Sequence, residues 1–130
     1  METSDIHILV VDDEAVVNIN LSGYLEDEGF TVFSAASAEE ALELIDQQRI
    51  DVGIIDMRLP GMDGNALILK AYHKQRAMKF LIHTGSTNYS LPQSLIELGL
   101  GEAQVLRKPV SDLSILPRMI YEMFSMDDNK

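Results

Sequence analysis

Five short apolar runs alternate with segments of helical periodicity, and this alternation constrains the fold of the chain more than any other feature. The first run, IHILVV at 6–11, is a nearly continuous series of β-branched and aliphatic residues, which is typical of a strand covered on both faces. Similar runs predict strands at 31–35, 51–56, 79–84 and 103–107. Because consecutive parallel strands need crossover helices, the pattern predicts an α/β fold, a doubly wound five-stranded parallel sheet with helices on both faces.

Helical segments separate the predicted strands. Ser37 and Glu40 have the spacing of a capping box, so Ser37 is expected to cap the second helix. Pro117 is acceptable as the third residue of the closing helix if Ser114 is its N-cap, whereas a start at 111 or 112 predicts a kink. The predicted helices lie at about 17–28, 37–45, 65–75, 91–98 and 112–125.

Composition indicates one soluble domain. The chain has 130 residues, of which 46% are hydrophobic and 24% charged, and we expect a single domain over 1–130 with a core at about 6–124 and a loose tail at 125–130. The absence of cysteine excludes disulfides and thiolate metal sites. A net charge of −11 argues against direct nucleic-acid binding. With no apolar run long enough for a membrane helix and an acidic start unlike a signal peptide, a cytoplasmic location is expected.

Charged and polar side chains follow most of the predicted strands directly. The carboxyl ends of parallel strands meet at one edge of a sheet, where ligands bind in open α/β folds. The residues expected together at this edge are Asp12, Asp13, Glu14, Asp56, Thr84 and Lys108.

The three consecutive acids at 12–14 stand where a nucleotide-binding fold would have glycines. Like charges about 4 Å apart repel by roughly 4 kcal/mol at a protein surface, so a cation is expected there. Oxygen-only ligation favours Mg²⁺, with Mn²⁺ as an alternative. Asp56 can then act as a nucleophile toward a phosphoryl group, with Lys108 and Thr84 binding phosphoryl oxygens and Gly85 leaving room for the group.

The motifs VVDDE, IIDMRLPGMDG, HTGS and RKP, in this order and spacing, resemble the receiver domain of bacterial two-component response regulators. The resemblance extends from Ile6 to Phe124 and is closest in kind to single-domain chemotaxis regulators with a flavodoxin-like fold. It implies that Asp56 is phosphorylated by a sensor histidine kinase or a histidine phosphotransfer protein. A change of conformation around 84–109 would then signal to a downstream protein of unknown identity.

The resemblance also implies roles for individual residues. Asp13 would bind Mg²⁺ directly, Asp12 directly or through water, Asp56 through its carboxylate and Arg58 through its backbone carbonyl. Thr84 would be the switch hydroxyl and Lys108 the phosphoryl-binding cation. The bond between Lys108 and Pro109 would be cis. Such a domain is no enzyme in the usual sense, although it carries out its own phosphorylation and dephosphorylation, and it would be a monomer or dimerise weakly on activation.

Two departures from the family pattern stand out. Val105 occupies the position where the family has an inward-moving aromatic residue, so the usual aromatic readout is in doubt. No segment long enough for an output domain follows the closing helix, which indicates either a stand-alone receiver or a fragment of a longer regulator.

Arg58 and Ser86 lie two positions beyond Asp56 and Thr84, where the family modulates access of water to the phosphoryl group.

Other interpretations remain open at this point. Asp12 or Asp13 can be a helix N-cap, and Lys108 alone a surface charge. A haloacid-dehalogenase-type phosphatase also uses Asp, Thr, Lys and Mg²⁺, but its nucleophile would follow the first strand. A receiver-like scaffold that binds partners without being phosphorylated is the main alternative. The histidines His73 and His83 receive no predicted role.

Overall fold

The alternating runs form one parallel sheet. The computed structural model describes residues 3–108 and 112–128. The strands are β1 (His7–Val11), β2 (Thr31–Ala35), β3 (Val52–Asp56), β4 (Lys79–Thr84) and β5 (Val105–Arg107). They lie in the order β2-β1-β3-β4-β5, and every neighbouring pair is parallel. The predicted fold class is therefore confirmed.

The helices follow the strands in turn. They are α1 (Ala15–Asp27), α2 (Ala38–Gln47), α3 (Gly64–Lys74), α4 (Gln93–Ile96) and α5 (Ile115–Asp128). As expected, Ser37 caps α2, its side chain accepting a hydrogen bond from the Glu40 N–H at 3.2 Å. Within the described part of the chain, no helix combines the length and the apolar character needed to cross a membrane.

Side chains that alternate along the strands form two cores, one on each face of the sheet. Leu9 and Ile55 pack with α2, α3 and α4 on one face, whereas Ile8 and Ile54 pack with α1 and α5 on the other. Each of these four side chains is at most 1% exposed. Full burial of such a side chain contributes about 1.5 to 3 kcal/mol, so the two cores hold the strand ends in fixed positions.

Two predicted elements are shorter than expected by more than one residue. The helix predicted at 91–98 is only Gln93–Ile96. It begins after Pro92, the N-cap, whose backbone is extended. It ends before Gly99, which adopts a left-handed conformation with φ of 102°, and the Leu100 N–H bonds back to the Leu95 carbonyl. The strand predicted at 103–107 starts at Val105. Before it lies a 3₁₀ turn, Glu102–Gln104, in which the Gln104 side chain accepts a hydrogen bond from the Gly101 N–H at 2.7 Å.

The closing helix begins at Ile115, directly after Ser114. Pro117 is thus its third residue, and the alternative of a start at 111 or 112 is wrong. Before the helix, the Asp112 carboxylate accepts hydrogen bonds from both the N–H and the hydroxyl of Ser114. The helix continues to Asp128, so the part of the predicted loose tail up to that residue is helical. Residues 129–130 lie outside the described residues.

Gly64 lets α3 begin directly beneath the end of β3. A Cβ at this position would overlap the Asp56 carbonyl oxygen and the Met57 side chain. The Gly64 N–H also donates to the Met57 carbonyl at 3.1 Å. The close approach of these backbones sets the course of the loop that follows Asp56.

Replacement of Gly64 by alanine is therefore expected to destabilise the protein by about 1 to 3 kcal/mol, as overpacking does elsewhere. Gly23→Ala is the matched control, because a Cβ at Gly23 in α1 meets nothing within 4 Å. It should stabilise the helix by about 0.5 to 1 kcal/mol. Urea denaturation of both variants measures the difference, and a Gly64→Ala protein as stable as Gly23→Ala would contradict the steric argument.

Candidate functional site

Three aspartates meet at the carboxyl edge of the sheet. Asp12 and Asp13 follow β1, and Asp56 ends β3, the central strand. One carboxylate oxygen from each lies within 4.8 Å of the other two. Asp12 and Asp56 are only 2% and 4% exposed, whereas Asp13 faces solvent. The predicted acidic cluster therefore exists, and most of its charge is removed from water.

Lys108 reaches this cluster from the end of β5. Its ammonium lies 2.8 Å from Asp12 Oδ2, 3.3 Å from Glu14 Oε1 and 3.5 Å from Asp56 Oδ2. The Lys108 backbone N–H donates to the Thr84 carbonyl at 2.7 Å, which ties the lysine to the end of β4. Since its side chain is only 13% exposed, Lys108 is not a surface charge.

Backbone groups fix the other oxygen of each buried carboxylate. The Glu14 N–H donates to Asp12 Oδ1 at 2.9 Å, and the Arg58 N–H donates to Asp56 Oδ1 at 3.2 Å. Glu14, and neither aspartate, is the N-cap of α1, so the N-cap interpretation of Asp12 and Asp13 is wrong. In both buried aspartates Oδ2 is left facing the lysine.

Burial and neighbouring charges act differently on the pKa of Asp56 and on the pKa of Lys108. Burial raises the pKa of Asp56, and the charge of Asp12 raises it further, against the lowering effects of the Arg58 N–H and Lys108. Partial burial lowers the pKa of Lys108, but its hydrogen bond to Asp12 and the charges of Asp56 and Asp12 outweigh burial, and the net pKa lies above its usual value. The single positive charge of Lys108 therefore neutralises only part of the negative charge of these acids.

The loop after β4 carries the remaining predicted residues. Thr84 is fully buried, and its hydroxyl accepts a hydrogen bond from the Ser86 N–H at 3.1 Å. A Cβ at Gly85 would meet Lys108 Cδ at 3.9 Å, an ordinary contact, so packing alone does not require glycine there. Pro109, predicted to follow a cis bond, lies outside the described residues.

Arg107 and Tyr89 connect this loop to its neighbours. The Arg107 guanidinium donates to the carbonyls of Ser86 and Tyr89 at 2.8 and 3.0 Å. The Tyr89 hydroxyl donates to Asn65 Oδ1 of α3 at 2.8 Å. Val105 is half-buried, pairs with Ile82 of β4 and packs against the core beneath α3 and α4.

The two histidines without a predicted role differ in surroundings. His73 is exposed on α3, whereas His83 is 7% exposed, and its Nε2 has no hydrogen-bond partner among the described residues. Burial lowers the pKa of His83, as does the charge of Lys108. Both effects favour the neutral form of the His83 ring.

The residues present fit a divalent cation. Asp12 Oδ2 is buried, and the Lys108 ammonium that lies 2.8 Å from it is shared with Glu14 and Asp56. Carboxylate oxygens and a backbone carbonyl are the ligands that Mg²⁺ prefers. A second positive charge at the cluster would complete the compensation that Lys108 begins.

Comparison with known proteins assigns the chain to a family. The family described as the response regulator receiver domain matches residues 8–120. The chain belongs to this family. It is a phosphoacceptor signalling domain rather than an enzyme in the usual sense. Receiver domains interact with histidine kinases or phosphotransfer proteins and with downstream effectors, and they generally bind Mg²⁺ at an acidic site.

Individual relatives agree with this assignment. Over 112 residues the chain is 32% identical to regulatory protein VanR of Enterococcus faecium, a match that covers 86% of this chain and 47% of VanR, so the chain spans about half the length of that relative. It is 32% identical over 92 residues to sporulation initiation phosphotransferase F of Bacillus subtilis, with 71% and 74% covered. A solved CheY-like receiver domain protein from Methanospirillum hungatei has a TM-score of 0.82 and 31% identity, with 95% and 97% covered.

Sequence reasoning missed three contributors to the receiver site. Glu14 was counted among the acids that call for a cation, but its contact with Lys108 was not predicted. Asn18 gave no signal beyond being polar in a helical segment, and Arg107 was indistinguishable from a surface cation. Only the folded chain brings Asn18 to the Asp12 and Ala35 carbonyls, and Arg107 to the carbonyls of the loop after β4.

At neutral pH without metal, Asp56→Asn is expected to raise the free energy of unfolding of the receiver domain. The folded-state pKa of Asp56 lies above the ordinary value of 3.8, so the group's contribution to stability is present below that pH and is lost as pH rises through the folded pKa. The gain from Asp56→Asn should therefore grow from acid toward pH 7. Urea denaturation in EDTA across this pH range measures it.

The control for this variant is Asp46→Asn. Asp46 pairs with Lys74 at 2.8 Å on the surface, so its replacement should change stability by no more than about 1 kcal/mol. A less stable Asp56→Asn protein at pH 7 would show that Lys108 outweighs burial.

Proposed function

We propose that Asp56 accepts a phosphoryl group from a phosphohistidine of a sensor kinase or phosphotransfer protein, in a reaction that needs Mg²⁺. The observation that carries the proposal is the Asp56 carboxylate at the end of the central strand, with the Lys108 ammonium 3.5 Å away and two further aspartates beside it. In this function, residues 1–130 act as one receiver domain in the cytoplasm.

The chemistry is a transfer between two nucleophiles. A carboxylate oxygen of Asp56 forms a bond to phosphorus while the bond from phosphorus to the donor's imidazole nitrogen breaks, and that nitrogen keeps the electron pair. Lys108 binds one phosphoryl oxygen through its ammonium, and the Thr84 hydroxyl donates to another. Asp56 is held for attack because the Arg58 N–H binds only one of its two oxygens.

Asp12, Asp13, Asp56 and the Arg58 carbonyl would hold the Mg²⁺. When bound, the ion neutralises the charge of the phosphoryl group and of the acids that face it. Mn²⁺, with the same preference for oxygen ligands, is expected to substitute. These residues alone cannot receive an anion, because three carboxylates oppose one lysine.

Signalling would follow from the loop after β4. Thr84 already bonds to Ser86, and Arg107 bonds to both Ser86 and Tyr89, so a change at the phosphoryl group would spread over the surface at 84–109. With Val105 in place of an aromatic residue, the loop itself would carry the change. The downstream partner is a protein, and the domain acts as a monomer or a weak dimer.

Acetyl phosphate with Mg²⁺ tests the proposal directly. Intact-mass measurement should show the addition of one alkali-labile phosphoryl group to the wild-type protein and none in EDTA. Asp56→Asn should abolish the adduct, whereas Asp46→Asn, which removes an exposed carboxylate away from the site, should keep it. An adduct that persists in Asp56→Asn would contradict the assignment of the acceptor.

The adduct measurement, together with an assay on a phosphomonoester, separates the alternatives. A folded protein that binds partners but forms no adduct would support the receiver-like scaffold that is not phosphorylated. Continuous release of phosphate from a phosphomonoester, with turnover, would support a phosphatase.

Arg58 and Ser86 are proposed to limit access of water to the phosphoryl group. Arg58 is exposed at the rim of the site, two residues beyond Asp56. Arg58→Ala is expected to speed loss of the phosphoryl group by up to about tenfold, or roughly 1.4 kcal/mol of barrier. Arg118→Ala, at an exposed position on α5, is the control. Equal decay rates for the two variants, followed by intact mass over time, would rule out shielding by Arg58.

A further inference from the structure

Asn18 is a buried amide that joins the first helix to the ends of two strands. It is the fourth residue of α1 and is 8% exposed. Its Nδ2 donates hydrogen bonds to the Asp12 carbonyl and to the Ala35 carbonyl, both at 3.0 Å. Its Oδ1 accepts one from the Ser22 hydroxyl at 3.1 Å. All of its polar atoms are thus engaged.

These bonds extend strand pairing past the end of the sheet. The β1 and β2 ladder ends at the pair of Val11 and Ala35. One residue further, the Asp12 N–H donates to the Ala35 carbonyl at 3.1 Å, and the Asn18 amide then binds both the Ala35 and Asp12 carbonyls. The backbone of Asp12 is therefore held on its N–H side by β2 and on its carbonyl side by α1.

The position of the Asp12 carbonyl determines the plane of the peptide that leads to Asp13. Asp13 is exposed, so the direction of its side chain depends on that backbone more than on packing. Asp12 itself is fixed at its side chain by Lys108 and by the Glu14 N–H. The relative position of the Asp12 and Asp13 carboxylates therefore depends on a fixed backbone between the two residues. Among the described contacts, only the Asn18 amide holds that backbone at the Asp12 carbonyl.

We infer that Asn18 is a positioning residue for the divalent-cation site, acting through the backbone at Asp12 and Asp13. The inference rests on the proposed function, since it concerns the Mg²⁺ that these aspartates would hold. A purely structural role is the competing explanation. Because a buried amide is tolerated only when it is hydrogen-bonded, Asn18 could serve only to dock α1.

Asn18→Leu separates these roles. The substitution keeps the branched shape and zero charge of the side chain but removes both donors and the acceptor, so any change in Mg²⁺ affinity reflects geometry and not net charge. Loss of an outer contact that orients metal ligands typically weakens binding by about 10- to 100-fold, and a loss of at least about tenfold is expected here. Asn20→Leu makes the same chemical change at an exposed position of α1 and should leave the affinity unchanged.

Isothermal titration with MgCl₂ at constant ionic strength gives the affinity, and urea denaturation in EDTA gives the stability. Ser22→Ala, which leaves both Nδ2 bonds in place, should bind Mg²⁺ as the wild type does. Asn18→Ser, which is smaller but keeps one donor, provides a second test if the leucine variant does not fold, and it should also bind Mg²⁺ more weakly than wild type.

Weakened Mg²⁺ binding in folded Asn18 variants, with normal binding in Asn20→Leu and Ser22→Ala, would support the inference. Wild-type affinity in Asn18→Leu, or in Asn18→Ser where that is the variant that folds, would overturn it and leave docking of α1 as the role of Asn18. A wild-type protein that fails to bind Mg²⁺ would overturn the proposed metal site and, with it, this inference.

Discussion

The contact of one ammonium with three carboxylates organises the active edge of this receiver domain. Lys108 lies within 3.5 Å of oxygens from Asp12, Glu14 and Asp56, although two of those acids are almost fully buried. Removing carboxylates from water is unfavourable unless charge compensates for it. Since one lysine cannot balance these acids, the folded chain retains a deficit of positive charge where a cation is proposed to bind. The same uncompensated negative charge would thus attract the ion and destabilise the fold when no ion is bound.

The sequence predicted the sheet and the acidic cluster for a common reason. Continuous apolar runs such as 6–11 are specified by local composition, and a parallel sheet brings the ends of such runs together whatever the intervening residues are. Asp12, Asp56 and Lys108 therefore could be assigned to one edge without knowledge of any distance. The family motifs added the roles of these residues, which the charges alone left open.

The predictions that failed concern features decided by contacts distant in sequence or by single backbone angles. The left-handed Gly99 shortens α4, and nothing in the apolar spacing of 91–98 indicates that. In the sequence, Asn18 is one polar residue in a helical segment, and only the fold places the Ala35 carbonyl of β2 opposite its amide. The start of α5 was left open between two alternatives because Pro117 fits either a helix start or a kink, and only the structure decides.

The hydrogen bonds of the loop after β4 also determine how movement can leave the site. Arg107 of β5 donates to two carbonyls of this loop, and the hydroxyl of Tyr89, which lies in the middle of the loop, donates to Asn65 of α3. The segment beyond Thr84 is consequently attached to β5 through Arg107 and to α3 through Tyr89. A displacement that starts at the threonine must either rupture one of these attachments or pull a strand or a helix along with it.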